Sequence, residues 1–248
     1  MALIVTVLMG AAASAPGGEP GRASLVLSHQ QAEPGSRIAA AIRLTAIPGW
    51  HWYWRNPGDS GMPPTLTWRL PPGVMAGAVR WPAPDRLVAD GAVTYALTEG
   101  TLLVPISLPA TAAGTLTIAL DLDWMACADT CVPLRHSVSA TLAVGPSRPD
   151  PVAAALIAAA ELRAPAPLPA TAVIGPGPVI RLAGLGPAWF AADEDGWHAH
   201  AEPAPASPSG ALAIPLRPGV RPPERLRGIL RSASAAYLVD VPYPRSSP

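Results

Sequence analysis

From residue 23 to 145 apolar and polar positions alternate in short runs broken by turn residues, which is the pattern of β-strands rather than helices. Ser24–Ser28 and Arg37–Leu44 are separated by Glu33-Pro34-Gly35-Ser36, a turn signal. Trp50–Arg55 alternates with period two, so Trp50, Trp52 and Trp54 face one way and His51, Tyr53 and Arg55 the other. Asn56-Pro57-Gly58-Asp59-Ser60-Gly61 then breaks the strand. Further strands are predicted at Thr65–Arg69, Val79–Trp81, Thr101–Leu108, Gly114–Met125 and His136–Val144. Short strands at this spacing predict an antiparallel β-sandwich of immunoglobulin-like type.

The pattern changes at 152–163, an Ala-rich run bounded by Pro151 and Pro165 that predicts a helix linking two domains. Beyond it Val173–Leu182, Ala188–Ala192, Gly196–Ala201, Ala211–Leu216, Arg227–Arg231 and Ala236–Val241 predict a second, smaller β domain over 168–244. The fold class is therefore all-β, with one linker helix. At the front, Met1–Gly10 is apolar and runs into Ala11-Ala12-Ala13-Ser14-Ala15, so residues 1–15 have the form of a secretory signal peptide, too short to span a bilayer. No other segment is apolar enough for a membrane helix, so the mature chain is expected to be exported and to carry no integral membrane segment.

Composition narrows the chemistry. Of the 248 residues half are hydrophobic, but Phe190 is the sole Phe, so aliphatic side chains and the eight tryptophans must fill the core. Thirty-three prolines disfavour long helices. The net charge is zero, every basic residue is Arg and no basic run occurs, which argues against nucleic acid as a partner and excludes lysine Schiff-base catalysis. A serine hydrolase would need a context such as Gly-x-Ser-x-Gly, and none is present.

The two cysteines, Cys127 and Cys131, lie four positions apart. In an extended segment their Cα atoms would be roughly 13 Å apart, whereas a disulfide needs roughly 4.4–6.8 Å. The chain must turn between them, as a three-residue hairpin loop of Ala128-Asp129-Thr130 or as one turn of helix. A structural staple is the ordinary role for two cysteines in an exported protein. A ring this small, however, stabilises by only about 2 kcal/mol in the chain-entropy model, and tight local rings are readily exchanged. If the strand alternation holds, Asp121, Asp123, Met125 and Cys127 share one face, opposite Leu120, Leu122 and Trp124, which puts the first cysteine on the more polar side. Asp129 would oppose thiolate formation by like-charge repulsion. His136 is a nearby candidate to stabilise a thiolate, although a surface role is the more ordinary one for it. Asn56, Asp59 and Ser60 either shape the turn or line the cysteine site.

Metal binding is the rival. Cys-x3-Cys before Pro also resembles the copper motif of Sco-type proteins, with His29, His51, His136, His198 or His200 as a third ligand for Cu(I). The Sco fold alternates strands with helices, which this pattern does not, and zinc would want four ligands. No metal or other cofactor is therefore assigned, and a copper-binding or copper-tolerance sandwich remains the alternative.

Four ordered motifs carry a more specific resemblance: Gly49–Pro64, Trp81-Pro82-Ala83-Pro84, Leu103-Val104-Pro105-Ile106 and Trp124–Pro133. Together they resemble the periplasmic N-terminal domain of the DsbD and ScsB thiol:disulfide interchange proteins over roughly residues 23–145. The remainder, with Arg227-Gly228-Ile229-Leu230 and Tyr237-Leu238-Val239, is similar to the second periplasmic portion of the ScsB-like branch. The resemblance implies an immunoglobulin-like domain whose pair, Cys127 and Cys131, accepts electrons from a membrane domain and passes them to periplasmic thioredoxin-like oxidoreductases, a protein-disulfide reductase activity. It further implies that the first cysteine takes part in the mixed disulfide, with Asp129, Trp124, Pro133, Tyr95, Asn56 and Asp59 as candidate site-lining residues. In DsbD an aromatic cap loop shields the pair; the matching stretch here is Asp90–Tyr95, where Tyr95 is present and the preceding Phe is not. The cysteine spacing is shorter than in DsbD. With no membrane domain in the sequence, the expected electron donor is a separate membrane protein.

Overall fold

The computed structural model describes residues 18–175, 179–198 and 210–243. The segment expected to be a signal peptide lies outside them. The strands before the helix are β1 (Gly21–Leu27), β2 (His29–Ala32), β3 (Arg37–Ala46), β4 (His51–Gly58), β5 (Thr65–Arg69), β6 (Met75–Ala76), β7 (Asp85–Ala89), β8 (Ala92–Leu97), β9 (Glu99–Ser107), β10 (Thr115–Cys127), β11 (Cys131–Val144) and β12 (Arg148–Pro149). They form two facing sheets, one ordered β1-β3-β9-β6 and one ordered β12-β2-β11-β10-β4-β8-β7, with β5 also paired to β10. Pairing is antiparallel apart from the short contact of β11 with β2.

Period-two alternation builds the core. Ile38, Ala40, Ile42 and Leu44 on β3 meet Ile118, Leu120, Leu122, Trp124 and Ala126 on β10 in one cluster. Trp52 and Trp54 join that cluster fully buried, with Trp50 packed at its margin, so the tryptophan stripe is core. The buried Trp54 indole N–H donates to the Pro82 carbonyl at 2.9 Å, which avoids the cost of an unpaired donor.

Two local expectations change. Val79–Trp81 is not a strand; it contributes a single bridge, Arg80 to Leu103. The stretch around Asp90–Tyr95, matched above to a cap loop, is instead a tight hairpin of β7 and β8. Asp90 (φ 50°) and Gly91 (φ 81°) are its two-residue turn between the paired Ala89 and Ala92. Both turn positions have positive φ, the conformation that Asp-Gly tolerates and that matches strand twist.

Helix α1 (Pro151–Arg163) follows, with the Asp150 carboxylate capping the Val152 and Ala153 amides and Pro at the first turn. Ion pairs from Arg163 to Glu99 and from Arg80 to Glu161 hold it against the sandwich. The second β unit contains β13 (Ala166–Pro167), β14 (Val173–Gly175), β15 (Val179–Arg181), β16 (Ala188–Ala192), β17 (Ala211–Ala213), β18 (Arg225–Ser232) and β19 (Ala236–Pro242). Its sheets, β13-β19-β18-β16 and β14-β15-β17, enclose a core with Phe190, Trp197, Leu226 and Leu230. Of the strand expected over Gly196–Ala201, residues 199–201 lie outside the described residues, and the described half contributes only a bridge between His198 and Leu216.

The two β units share an interface. Ala191 and Ile229 of the second belong to the core cluster of the first. Tyr95 stacks on Trp189 at 5.3 Å and donates to the Phe190 carbonyl at 3.1 Å. Asn56 Nδ2 donates to the Ala192 carbonyl at 2.9 Å. Arg55 pairs with Asp193, both half-buried. Burial pushes the Asp193 carboxyl up from its ordinary value, more strongly than the Arg55 charge pulls it down. A carboxyl whose folded pKa is raised contributes stability at low pH that is lost as pH rises through the raised value. Asp193→Asn should therefore remove a component of stability that declines with rising pH, seen by comparing denaturation midpoints of the two proteins across the acid range.

Candidate active site

The β10–β11 ladder runs without a break from Thr115 opposite Ala143 to Cys127 opposite Cys131. Ala128-Asp129-Thr130 closes it as a three-residue loop, with the Ala128 amide donating to the Thr130 carbonyl at 3.0 Å. The cysteines are thus directly opposed at the tip, their Cα atoms 4.1 Å apart, and joined as a disulfide. Of the two turn geometries open to the segment, the hairpin is the one formed.

The two sulfurs sit in different surroundings. Cys127 is only 1% exposed, whereas Cys131 is exposed. The asymmetry comes from β4, which runs beside β10 and places His51 opposite Cys127 and Trp52 opposite Ala126. Tyr53 and Ala96 pack on Cys127, with Met125 at the margin. The expected face is therefore right, since Cys127 and Met125 do lie opposite Leu122 and Trp124. That face is nevertheless covered at its end: neighbouring strands bury Cys127, and the exposed cysteine is the second.

Two side chains not among the expected lining residues approach the pair: Tyr53, and His51, which entered above as a site candidate only among five possible copper ligands. The Tyr53 hydroxyl lies 3.8 Å from Cys131 Sγ. The His51 ring meets the Tyr53 ring edge-on at 5.2 Å. Burial raises the Tyr53 pKa, keeping the phenol protonated as a hydrogen-bond donor, and lowers that of His51, keeping the imidazole neutral. The signal for both was in the Trp50–Arg55 alternation: the face turned away from the tryptophan core is the face that meets the cysteines.

The expected lining residues divide into two groups. Pro133, opposite Met125, and Asp129, at the loop tip, stay with the pair and are exposed. Trp124 points into the core, where its indole N–H donates to His136 Nδ1 at 3.0 Å. His136 is also paired with Glu19 at 3.3 Å, so its ring is committed away from the sulfurs. Asn56 and Tyr95 are held by the second β unit. Asp59 accepts from the Val93 amide at 2.8 Å and pairs with Arg217. These three belong to the junction between units, because β8 pairs with β4 and turns Tyr95 inward, opposite to the face carrying Ala96. Among the described residues no group of three His, Cys, Asp or Glu side chains is gathered as for a metal ion. His51 neighbours Cys127, His29 bonds Ser28 and His198 is buried in the second unit, while His200 lies outside the described residues.

Gly61 sets the Tyr53 position. Its φ is +111°, and a Cβ there would overlap the Tyr53 ring. Gly61→Ala should therefore displace that ring, costing about 1–3 kcal/mol of stability as an overpacking change. The same displacement should speed reduction of the disulfide by a small dithiol, measured by thiol labelling over time.

An exposed sulfur bonded to a buried one suits exchange. An incoming thiolate can meet the exposed Cys131, while the Cys127 sulfur lies in its pocket beside it, placed to close again.

Residues 23–143 match the family model of the N-terminal part of the thiol:disulfide interchange protein DsbD. The crystal structure of the N-terminal periplasmic domain of ScsB from Proteus mirabilis superposes with a TM-score of 0.66 at 13% identity, covering 94% of this chain and 97% of that chain. At that identity the likeness is one of fold. The periplasmic chaperone SfaE (TM-score 0.19, 7% identity, 90% of this chain and 100% of that one) and the Actinomyces fimbrial adhesin FimA (0.22, 11%, 91% and 97%) align too loosely to carry an argument. No curated protein sequence matches this chain. The family match over the strands that carry Cys127 and Cys131, together with the fold likeness, makes the first sandwich a DsbD/ScsB-like N-terminal domain.

Proposed function

We propose that this chain is a periplasmic thiol:disulfide exchange protein in which Cys127 and Cys131 pass reducing equivalents between a membrane electron donor and thioredoxin-like oxidoreductases. In this reading residues 23–145 are the redox domain, 152–163 the linker helix and 168–244 a supporting β domain. The observation that carries the reading is the asymmetric disulfide at the hairpin tip, with Cys131 exposed and Cys127 1% exposed. The family match over residues 23–143 supports the same reaction, and among the described residues no helix is long and apolar enough to cross a membrane.

In the reductive direction a donor thiolate attacks Cys131 Sγ. The Cys127–Cys131 bond breaks, a mixed disulfide forms at Cys131, and the electron pair leaves on Cys127. A second donor thiol then releases the reduced pair. Delivery to the acceptor runs the other way: the Cys131 thiolate attacks the acceptor disulfide, and Cys127 displaces the reduced acceptor by re-forming the internal bond.

Equilibration with a glutathione buffer tests the proposal. An exchange centre should come to equilibrium with it and give a potential above about −300 mV, the region below which structural disulfides fall. Reduced protein should also reduce a thioredoxin-like Cys-x-x-Cys protein. A pair inert to both reagents would refute the reading.

A further inference from the structure

The buried sulfur presents a problem that the exchange reaction must solve. When Cys127 is reduced it lies in a pocket made by Tyr53, Ala96 and Met125, and an apolar pocket disfavours thiolate formation. Resolution of a mixed disulfide at Cys131 nevertheless requires Cys127 to attack as a thiolate. A proton acceptor has to stand beside it.

His51 stands there. It is the direct cross-strand partner of Cys127, and directly opposed residues project from the same face with Cβ atoms about 4.5–5.5 Å apart. Its ring lies edge-on to Tyr53, whose hydroxyl reaches Cys131 Sγ, so imidazole, phenol and disulfide share one face. The residue is half-buried, open enough to exchange protons with solvent.

The groups around it leave it free for the task. From its own strand the titratable neighbours are Tyr53 and, further along the face, Arg55, which is turned to Asp193. From the hairpin they are Cys127 and Cys131, with Asp129 exposed at the tip and Asp123 paired to Arg135. From β8 the facing residue is Ala96, which cannot titrate. Burial keeps the imidazole neutral, the form that can accept a proton.

We propose that His51 is the proton acceptor and donor for Cys127 in disulfide exchange, an inference that rests on the exchange reading above. In resolution the Cys127 thiol gives its proton to His51 and the resulting thiolate attacks Cys131 Sγ. The internal S–S bond forms, the bond from Cys131 to the partner breaks, and the partner leaves with the electron pair as a thiolate. In the opposite direction protonated His51 returns the proton to the departing Cys127 sulfur.

A chromogenic dithiobis(nitrobenzoate) probe, mixed in equal amount with the reduced full chain, separates the steps. Attack by Cys131 releases the first nitrothiolate, and closure by Cys127 releases the second. His51→Gln and His51→Phe, the latter keeping an aromatic ring against Tyr53, should leave the first phase within about twofold of the parent. Both should slow the second by about tenfold or more near neutral pH, a modest loss for general acid–base catalysis. In both variants the rise of the second rate with pH should move from the imidazole range to the higher range of an unassisted thiol. An unchanged second phase, an unchanged pH profile, or equal slowing of both phases would overturn the role of His51 while leaving the exchange reading intact. Peptide mapping that places the first nitrobenzoate on Cys127 would overturn the assigned order of the cysteines, and the role of His51 with it.

Discussion

Tyr95→Ala should cost the full chain about 3–5 kcal/mol of folding stability, the range for removing a large buried aromatic side chain. Tyr95 is 1% exposed, and three contributions end together when it is truncated. The apolar ring leaves the core cluster of the first sandwich. The stack on Trp189 disappears, and the Phe190 carbonyl loses the phenol donor. Tyr95→Phe isolates the last of these: it keeps the ring and should cost only about 1–3 kcal/mol, the penalty of a buried acceptor left unmet. Denaturant unfolding measures both, with the shift read from the midpoint at constant slope. A loss for Tyr95→Ala of the size seen at surface sites would mean that the junction between the β units is not part of the folded core.

That placement of Tyr95 shows how far the sequence could be read. The two-sheet architecture is legible because alternation is a local property: it marks β5 with its bounds, and β3, β9 and β10 to within two residues at each end. The hairpin at the cysteine tip was legible for the same reason, since three residues between two thiols leave few ways to bring the sulfurs together. The β7–β8 hairpin is marked locally by Asp90-Gly91, whereas the resemblance alone implies a loop at that place. The side chains of Asn56, Asp59 and Tyr95 could not be assigned from alternation alone. Period two says which face a residue takes and not what covers that face, and here the cover is a second unit more than ninety residues away in the chain. The same limit hid the burial of Cys127: its own strand marks the face as polar, and β4 and β8 bury it. His51 and Tyr53 were placed on the correct side of the tryptophan stripe, but only the pairing of β4 with β10 brings that side to the disulfide.

The second large effect is functional. Cys131→Ser should abolish exchange, because the remaining thiol, Cys127, is shielded by Tyr53 and Ala96 and cannot meet a protein-sized partner. Cys127→Ser should behave differently. It keeps the exposed sulfur, so the first step proceeds, but no internal thiol remains to release the partner. The expected product is a mixed disulfide, which persists when the partner's own second cysteine is replaced as well. The hydroxyl is smaller than the thiol it replaces and sits at a covered position, so each variant should be checked for a parent-like unfolding midpoint before exchange is compared.

Covalent capture tests the central claim most directly. Each single-cysteine variant is mixed with a thioredoxin-like protein whose second active-site cysteine is replaced by Ser and whose remaining cysteine carries a nitrobenzoate disulfide, so that nitrothiolate leaves as the mixed disulfide forms, and the non-reducing products are identified by mass spectrometry. Attack at an exposed Cys131 predicts a one-to-one disulfide-linked complex with Cys127→Ser, dissociated by reductant, and little or none with Cys131→Ser. Capture by Cys131→Ser alone, or by neither variant while both remain folded, would contradict it.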